Sequence, residues 1–318
     1  MLTVYKCDGD NFHELSLSSL LKNCWINLTN PTGADLQAVH KSTDIPLDVL
    51  KAALDEEETS RIELEDKHLL VLTNIPINRG ETIYETLPLG IILTCDELIT
   101  VCLEDNPVLA DFNQETKRTF NTAKRTRFMF QILFRVATLF LKHLRHINRQ
   151  TDQIEVDLRK TMKNKDIFQL MDLQKALTYF SASLRTNGIA MDKLLRLRSN
   201  NQAQDLIRMY EEDEDLLEDV IIENNQAIQM VEMYTNILSS MTDTFASIIS
   251  NNLNIVMKFL ASMTIILAIP TMLASFWGMN VQVPFGAENP HGFFLVLLMA
   301  TAVTGIIAFV LWKKKILR

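Results

Sequence analysis

The chain has 318 residues, 47% of them hydrophobic, with 9 Gly and 8 Pro, which is length enough for two domain-sized units and a substantial core. A formal charge of -8 excludes a nucleic-acid binder built on overall basicity, because phosphate recognition needs clustered Lys and Arg. Four scattered cysteines (Cys7, Cys24, Cys95, Cys102) without a CxxC pair exclude a disulfide-framed scaffold and fit a reducing compartment.

Residues 1–107 hold 4 Gly and 5 Pro and read as mixed α/β. Cys24 to Leu28 and His68 to Ile75 are expected strands, Leu89 to Thr94 and Leu98 to Leu103 an expected hairpin, and Pro46 to Leu54 a short helix. No secretory signal is expected in residues 1–30, which lack a basic start and an apolar run. Residues 108–269 hold one Gly (Gly188) and no Pro, so long helices are expected from about Asn113, with turns near 163–166 and 199–203. His143 and His146 share a helix face, but no Cys or carboxylate completes a zinc set beside them, so surface or packing roles are expected. The sequence contains no GxxxxGK[ST], GxSxG or HExxH, and nothing else in it points to an enzyme.

The last helix of this region is expected from about Asp205. It opens on an acidic run, Glu211 to Asp215 with Glu218 and Asp219, which suits the positive end of a helix dipole. Leu217, Val220, Asn224, Ala227, Val231, Tyr234, Leu238, Met241, Phe245, Ile248, Asn252, Ile255 and Phe259 then alternate steps of three and four, a heptad seam. The seam either packs on neighbouring helices of its own chain or serves a stalk, and it runs without a break into Phe259 to Phe276, 18 mostly apolar residues without a charge. Phe293 to Trp312 gives 20 more. At 1.5 Å per residue these runs reach roughly 27 and 30 Å, the hydrocarbon thickness of a bilayer. The link between them holds Glu288 and no Lys or Arg, whereas Lys258 precedes the first span and Lys313, Lys314, Lys315 and Arg318 follow the second. The positive-inside rule then puts both termini in the cytoplasm. Residues 251–318 carry 5 basic and 1 acidic side chains, so the rest carry 26 basic and 38 acidic, and the large cytoplasmic portion is acidic.

The first span ends in Trp277, Gly278, Met279, Asn280. This Gly-Met-Asn ending between two C-terminal spans, with a long helix before it and a basic tail after it, resembles the CorA family of divalent-cation channels. The expected organisation is an α+β cytoplasmic domain (1–112), a helical cytoplasmic domain with the start of a stalk (113–252), a pore-lining span (253–280), an external loop (281–292), a second span (293–312) and a basic tail (313–318). The resemblance implies a funnel-shaped homopentamer in the inner membrane that moves Mg²⁺, and possible companions Co²⁺ and Ni²⁺, without ATP. It makes Gly278, Met279 and Asn280 the selectivity filter and maps the pore lining to Asn254, Met257, Leu260, Thr264, Ala268 and Thr271. Physics fits an amide ring: Mg²⁺ gives up its water reluctantly, and conduction needs binding weak enough to release. Glu288 would gather cations outside, and Lys313, Lys314 and Lys315 would surround the inner mouth. The resemblance also implies inhibition by cytoplasmic Mg²⁺ bound between subunits. Asp219 and Asp243 match the spacing of stalk acids, with partners in the stretch holding Asp55, Glu56, Glu57 and Glu58. Trp25 to Leu28 resembles an early family strand with a structural role. Two other readings stay open: a Zn²⁺ transporter of the same superfamily, and a membrane-anchored coiled-coil scaffold without flux.

Overall fold

The computed structural model describes residues 1–8, 11–17, 22–65, 67–161, 163–197, 206–279 and 291–314. The chain forms two compact units, Met1–Ser240 and Met241–Arg318.

The first unit is built on a seven-stranded sheet: β1 (Leu2–Cys7), β2 (Phe12–Leu15), β3 (Cys24–Thr29), β4 (Arg61–Leu64), β5 (His68–Asn78), β6 (Tyr84–Thr94) and β7 (Glu97–Cys102), in the order β2-β1-β3-β7-β6-β5-β4. All neighbours are antiparallel except β3 and β7, which run parallel from Cys24↔Glu97 to Thr29↔Cys102. The expected strands are present, and the hairpin closes at Cys95 and Asp96. β3, β6 and β7 read as nearly continuous apolar runs because both faces of the sheet are covered.

One face packs on α1 (Gly33–Thr43), α2 (Leu47–Lys51) and the 3₁₀ turn Ala52–Leu54. Val4, Ile26, Leu28, Leu72, Ile92 and Val101 meet Leu36, Val39, Leu50 and Ala53 there. Thr32 and Asp35 cap α1 reciprocally, and Asp44 ends it in the left-handed region at φ 60. After β7 comes a single helical turn, α3 (Pro107–Ala110). The other face packs on α4 (Arg125–Thr161) and α5 (Asn164–Leu197). On that side Trp25 is fully buried, its Nε1–H donates to Thr100 Oγ1 at 2.8 Å, and its ring meets Phe128 edge-on at 5.3 Å. This is the structural role expected of the early strand.

Helix begins at Arg125, later than the expected Asn113. Residues between α3 and α4 turn on asparagines rather than on Gly or Pro: Asn113 Oδ1 accepts from Glu115 N and Asn121 Oδ1 from Ala123 N, both at 2.8 Å. α4 ends at Thr161 and α5 begins at Asn164, so the break between them comes earlier than the expected 163–166, most of which is helical. Buried Asn187 of α5 takes Ser60 Oγ and Asn74 N at 2.6 and 2.8 Å and returns a bond to Asn74 O, tying the helix to β5.

The long helix, α6 (Glu211–Trp277), has 67 residues, roughly 100 Å at 1.5 Å per residue. It starts six residues after the expected Asp205 because Leu206 and Ile207 are buried in non-helical chain and the cap forms at Tyr210. Leu217, Val220, Asn224, Ala227, Val231 and Leu238 are all buried, so in this unit the seam packs within its own chain. Asn224 Nδ2 donates to Leu184 O of α5 at 3.0 Å. The glycine of α5 sits at this crossing: a Cβ on Gly188 would stand 3.2 Å from Asn224 Nδ2. In the second unit the seam positions Asn252, Ile255 and Phe259 are exposed. That unit holds the rest of α6 and α7 (Gly292–Lys313), and both helices are long and apolar enough to cross a bilayer.

Candidate ion-conduction pathway

The pore question turns on which face of α6 is covered. Ser262 is buried, and Ile266, Ile269, Pro270, Leu273 and Trp277 are half-covered, whereas the other residues from Leu253 to Met279 are exposed. At 100° per residue the covered positions form one stripe, and Leu260, Thr264, Ala268, Thr271 and Ser275 lie roughly opposite it. α7 has a matching stripe of Gly292, Val296, Ala300, Val303, Thr304, Ile307, Ala308 and Leu311. Its small residues, like Ser262, allow close helix approach in a membrane. At the ends of the spans, the Trp277 and Phe293 rings stand 6.4 Å apart. Every expected pore residue (Asn254, Met257, Leu260, Thr264, Ala268, Thr271) therefore sits away from the covered stripe, with Met257 58% and Leu260 53% exposed.

The hydroxyls on this face are pre-arranged. Thr264 Oγ1 donates to Leu260 O and Thr271 Oγ1 to Leu267 O, each at 2.9 Å. With its proton committed to the preceding turn, each oxygen presents only lone pairs outward. Lone pairs accept from the water shell of a cation. Pro270 lies inside the helix without ending it, and its missing N–H leaves the Ile266 carbonyl without its usual donor.

Gly278 N donates to Ala274 O at 3.0 Å and Met279 N to Phe276 O at 3.4 Å, so the helix tightens as it ends. Gly278 is outside the left-handed region, and a Cβ there would sit 3.4 Å from the Ala274 carbonyl oxygen. That is ordinary contact, so neither a left-handed cap nor crowding by the last turn calls for glycine at this position. Met279 is 53% exposed. Asn280, Glu288 and Lys315 lie outside the described residues. Lys313 and Lys314 are exposed at the end of α7.

The expected regulatory acids are separate in one chain. Asp55 and Glu56 are exposed just after the 3₁₀ turn, and Asp55 Oδ1 accepts from Glu57 N at 3.1 Å. Asp219 and Asp243 are exposed on α6. Among the described residues no three of His, Cys, Asp and Glu come together to hold a metal. Part of the acidic run has a structural task. Asp213, 4% exposed, accepts from Tyr210 N at 3.1 Å as a helix cap, and Arg127 reaches Glu212 Oε2 at 2.6 Å and Asp213 Oδ1 at 3.6 Å. The histidines pack: Tyr84 OH lies 2.5 Å from His146 Nδ1, and the His143 ring meets Tyr84 edge-on at 5.4 Å. Burial pushes His143 down to about 4, helped by the nearby Lys142 and His146 charges.

Residues 21–314 match the family model described as "CorA-like Mg2+ transporter protein". The chain is 26% identical over 290 residues to the cobalt/magnesium transport protein CorA of Methanocaldococcus jannaschii, covering 90% of this chain and 89% of that one. It is 24% identical over 306 residues to the magnesium transport protein CorA of Helicobacter pylori, covering 92% and 89%. In structure it is similar to the complete CorA magnesium transporter of M. jannaschii, with a TM-score of 0.84 at 24% identity over 98% of this chain and 96% of that one. The ZntB cytoplasmic domain of Vibrio parahaemolyticus is more distant, with a TM-score of 0.61 at 12% identity over 78% of this chain and 98% of that one. The match of the family model across nearly the whole sequence places this chain in the CorA-like Mg²⁺ transporter family.

Proposed function

We propose that this chain is one subunit of a homopentameric inner-membrane channel that carries hydrated Mg²⁺, and Co²⁺ with it, inward without ATP. The observation that carries this reading is the exposed, partly hydroxylated face of α6 opposite its covered stripe, on the helix that the sequence follows with Gly278, Met279 and Asn280. Polar groups facing lipid are costly, so a symmetric ring that turns this face onto an axis relieves the cost and makes a pathway. Five Asn280 amides at the outer mouth hold the ion through its water, and five Glu288 carboxylates gather cations before it. Met257 and Leu260 form an apolar constriction that closes by dewetting. An inside-negative potential supplies about 2.3 kcal/mol per elementary charge per 100 mV. Cytoplasmic Mg²⁺ bound between subunits by Asp219 and acids near Asp55 and Glu56, with Asp243 nearer the membrane, favours the closed state. Both termini lie in the cytoplasm, with Lys313, Lys314 and Lys315 around the inner mouth.

The test is Mg²⁺ entry into proteoliposomes loaded with a Mg²⁺-sensitive dye, under an inside-negative potential, for the native chain beside Asn280→Ala. Flux in the first and its loss in an assembled second are expected. Absence of Mg²⁺ and Co²⁺ flux in the native protein overturns the reading, and Zn²⁺ flux alone would move it to the zinc branch.

A further inference from the structure

A cavity of about 790 Å³ opens in the Met1–Ser240 unit where α4 begins and α6 begins. Lys124, Arg125, Arg127 and Arg208 line it against Glu211, Glu212 and Asp213. Two of the acids are spoken for, since Asp213 caps α6 and Arg127 pairs with both Glu212 and Asp213. Among the described residues, Lys124, Arg125 and Arg208 have no ion pair. Arg125 is the least comfortable of the three. Its guanidinium is half-buried, one Nη1–H goes to the Thr94 carbonyl, and its Nε is buried without a hydrogen-bond partner among the described residues. Asp96 and Glu97 act on its charge without reaching ion-pair distance, Asp96 pairing with Lys22 at 3.0 Å and Glu97 accepting from Thr94 Oγ1 at 2.8 Å.

These cations also stand at the wrong end of a helix. The first turn of α4, a 37-residue helix, holds no acidic residue, and the positive end of the dipole disfavours Lys124, Arg125 and Arg127. A bound anion relieves both the dipole and the unpaired charge, and guanidinium forks suit phosphate oxygens. On the rim, Tyr210 leaves 68% of its surface exposed, an aromatic face on which a base can stack. The volume falls within the range of small-molecule sites.

We propose that this cavity binds a nucleoside polyphosphate, with phosphates on Lys124, Arg125 and Arg208 at the start of α4 and the base on Tyr210. The site is cytoplasmic in character and independent of which cation the membrane unit carries. The experiment is titration calorimetry of the full chain in detergent, in Mg²⁺-free buffer of low ionic strength, with ATP, tripolyphosphate and adenosine as probes. ATP binds saturably at one site per chain, tripolyphosphate about tenfold more weakly because stacking is lost, and adenosine not measurably. Lys124→Ala with Arg208→Ala, both exposed and with no side-chain hydrogen bond or ion pair among the described residues, weakens both phosphate ligands at least tenfold. Tyr210→Ala lowers ATP to the affinity of tripolyphosphate and leaves tripolyphosphate unchanged. Thermal unfolding verifies that each variant is folded. No saturable ATP binding, or unchanged affinity in the folded double variant, overturns the site. Equal binding of ATP and tripolyphosphate with a neutral Tyr210→Ala overturns the nucleotide assignment.

Discussion

The acidic run at the head of α6 mixes structural and regulatory carboxylates, and Asp213→Ala beside Asp219→Ala separates them. Asp213 is 4% exposed, caps α6 through Tyr210 N at 3.1 Å and lies 3.6 Å from Arg127. Losing a cap costs about 1 kcal/mol, and losing a carboxylate from a partly buried helix N-terminus costs about another 1 kcal/mol. Arg127 keeps Glu212 at 2.6 Å, so no large penalty for an orphaned cation is added. The expected loss is about 2 kcal/mol, which for a unit of this size lowers the Tm by roughly 4–8 °C. Asp219 is exposed and makes no hydrogen bond or ion pair among the described residues, so Asp219→Ala changes the Tm of the Mg²⁺-free protein by little. Differential scanning calorimetry of the full chain with chelator gives both values. Repeating it with Mg²⁺ asks whether the stabilisation by metal shrinks in Asp219→Ala and survives in Asp213→Ala. A Tm unchanged in Asp213→Ala, or lowered equally in both, would refute this division of the run.

Two further outcomes follow from packing and burial. Gly90 sits mid-strand in β6, and a Cβ there would lie 2.9 Å from Ala53 Cβ in the 3₁₀ turn. Gly90→Ala is expected to cost about 1–3 kcal/mol by overpacking, and Ala53→Gly in the same chain should recover most of it in urea denaturation; no recovery would place the strain elsewhere. His143 is held neutral, its Nε2 buried without a partner among the described residues and its pKa depressed to about 4. Because the unfolded ring takes its proton near 6.5, the unfolded chain binds more protons below that pH, and stability is lost as the pH falls from about 6.5 towards 4. Between pH 7 and 5 the loss is at most about 2 kcal/mol, less the screening that a partly solvated ring receives. His143→Phe keeps a ring against Tyr84 and Phe180 and should flatten that part of the profile, and an unchanged acid slope in the variant would assign the effect to other groups.

The sheet's interior was legible because its strands are apolar runs between Gly, Pro and Asx punctuation. Its margins were not. β2 and β4 are four residues each, and although β4 alternates as Arg61, Ile62, Glu63 and Leu64, two repeats are too few to mark a strand. The α1 helix announces itself through Thr32 and Asp35, a capping pair that a search for Ser/Thr followed three residues later by Glu or Gln passes over. The turns between α3 and α4 were hidden for a related reason: absence of Gly and Pro signals helix only if Asn does not make the turns, and Asn113 and Asn121 do.

For the candidate pathway, the family resemblance supplied the residues, and the 3.6-residue repeat sets Leu260, Thr264, Ala268 and Thr271 away from the stripe that α6 keeps covered, whose buried member Ser262 also carries a hydroxyl. The acidic run could not be parsed in the same way. Whether a carboxylate caps, pairs or stays free depends on residues far away in sequence: Arg127 stands 85 residues before Glu212. The same holds for the basic start of α4, which reads in sequence as an ordinary solvated run and acquires meaning only when Arg208 and Tyr210 are brought opposite it. Local pattern reports the periodic face of an element. The chemistry of a charge is fixed by what the fold sets against it, and at both helix N-termini of this cavity that partner comes from the other helix or from the chain leading into it.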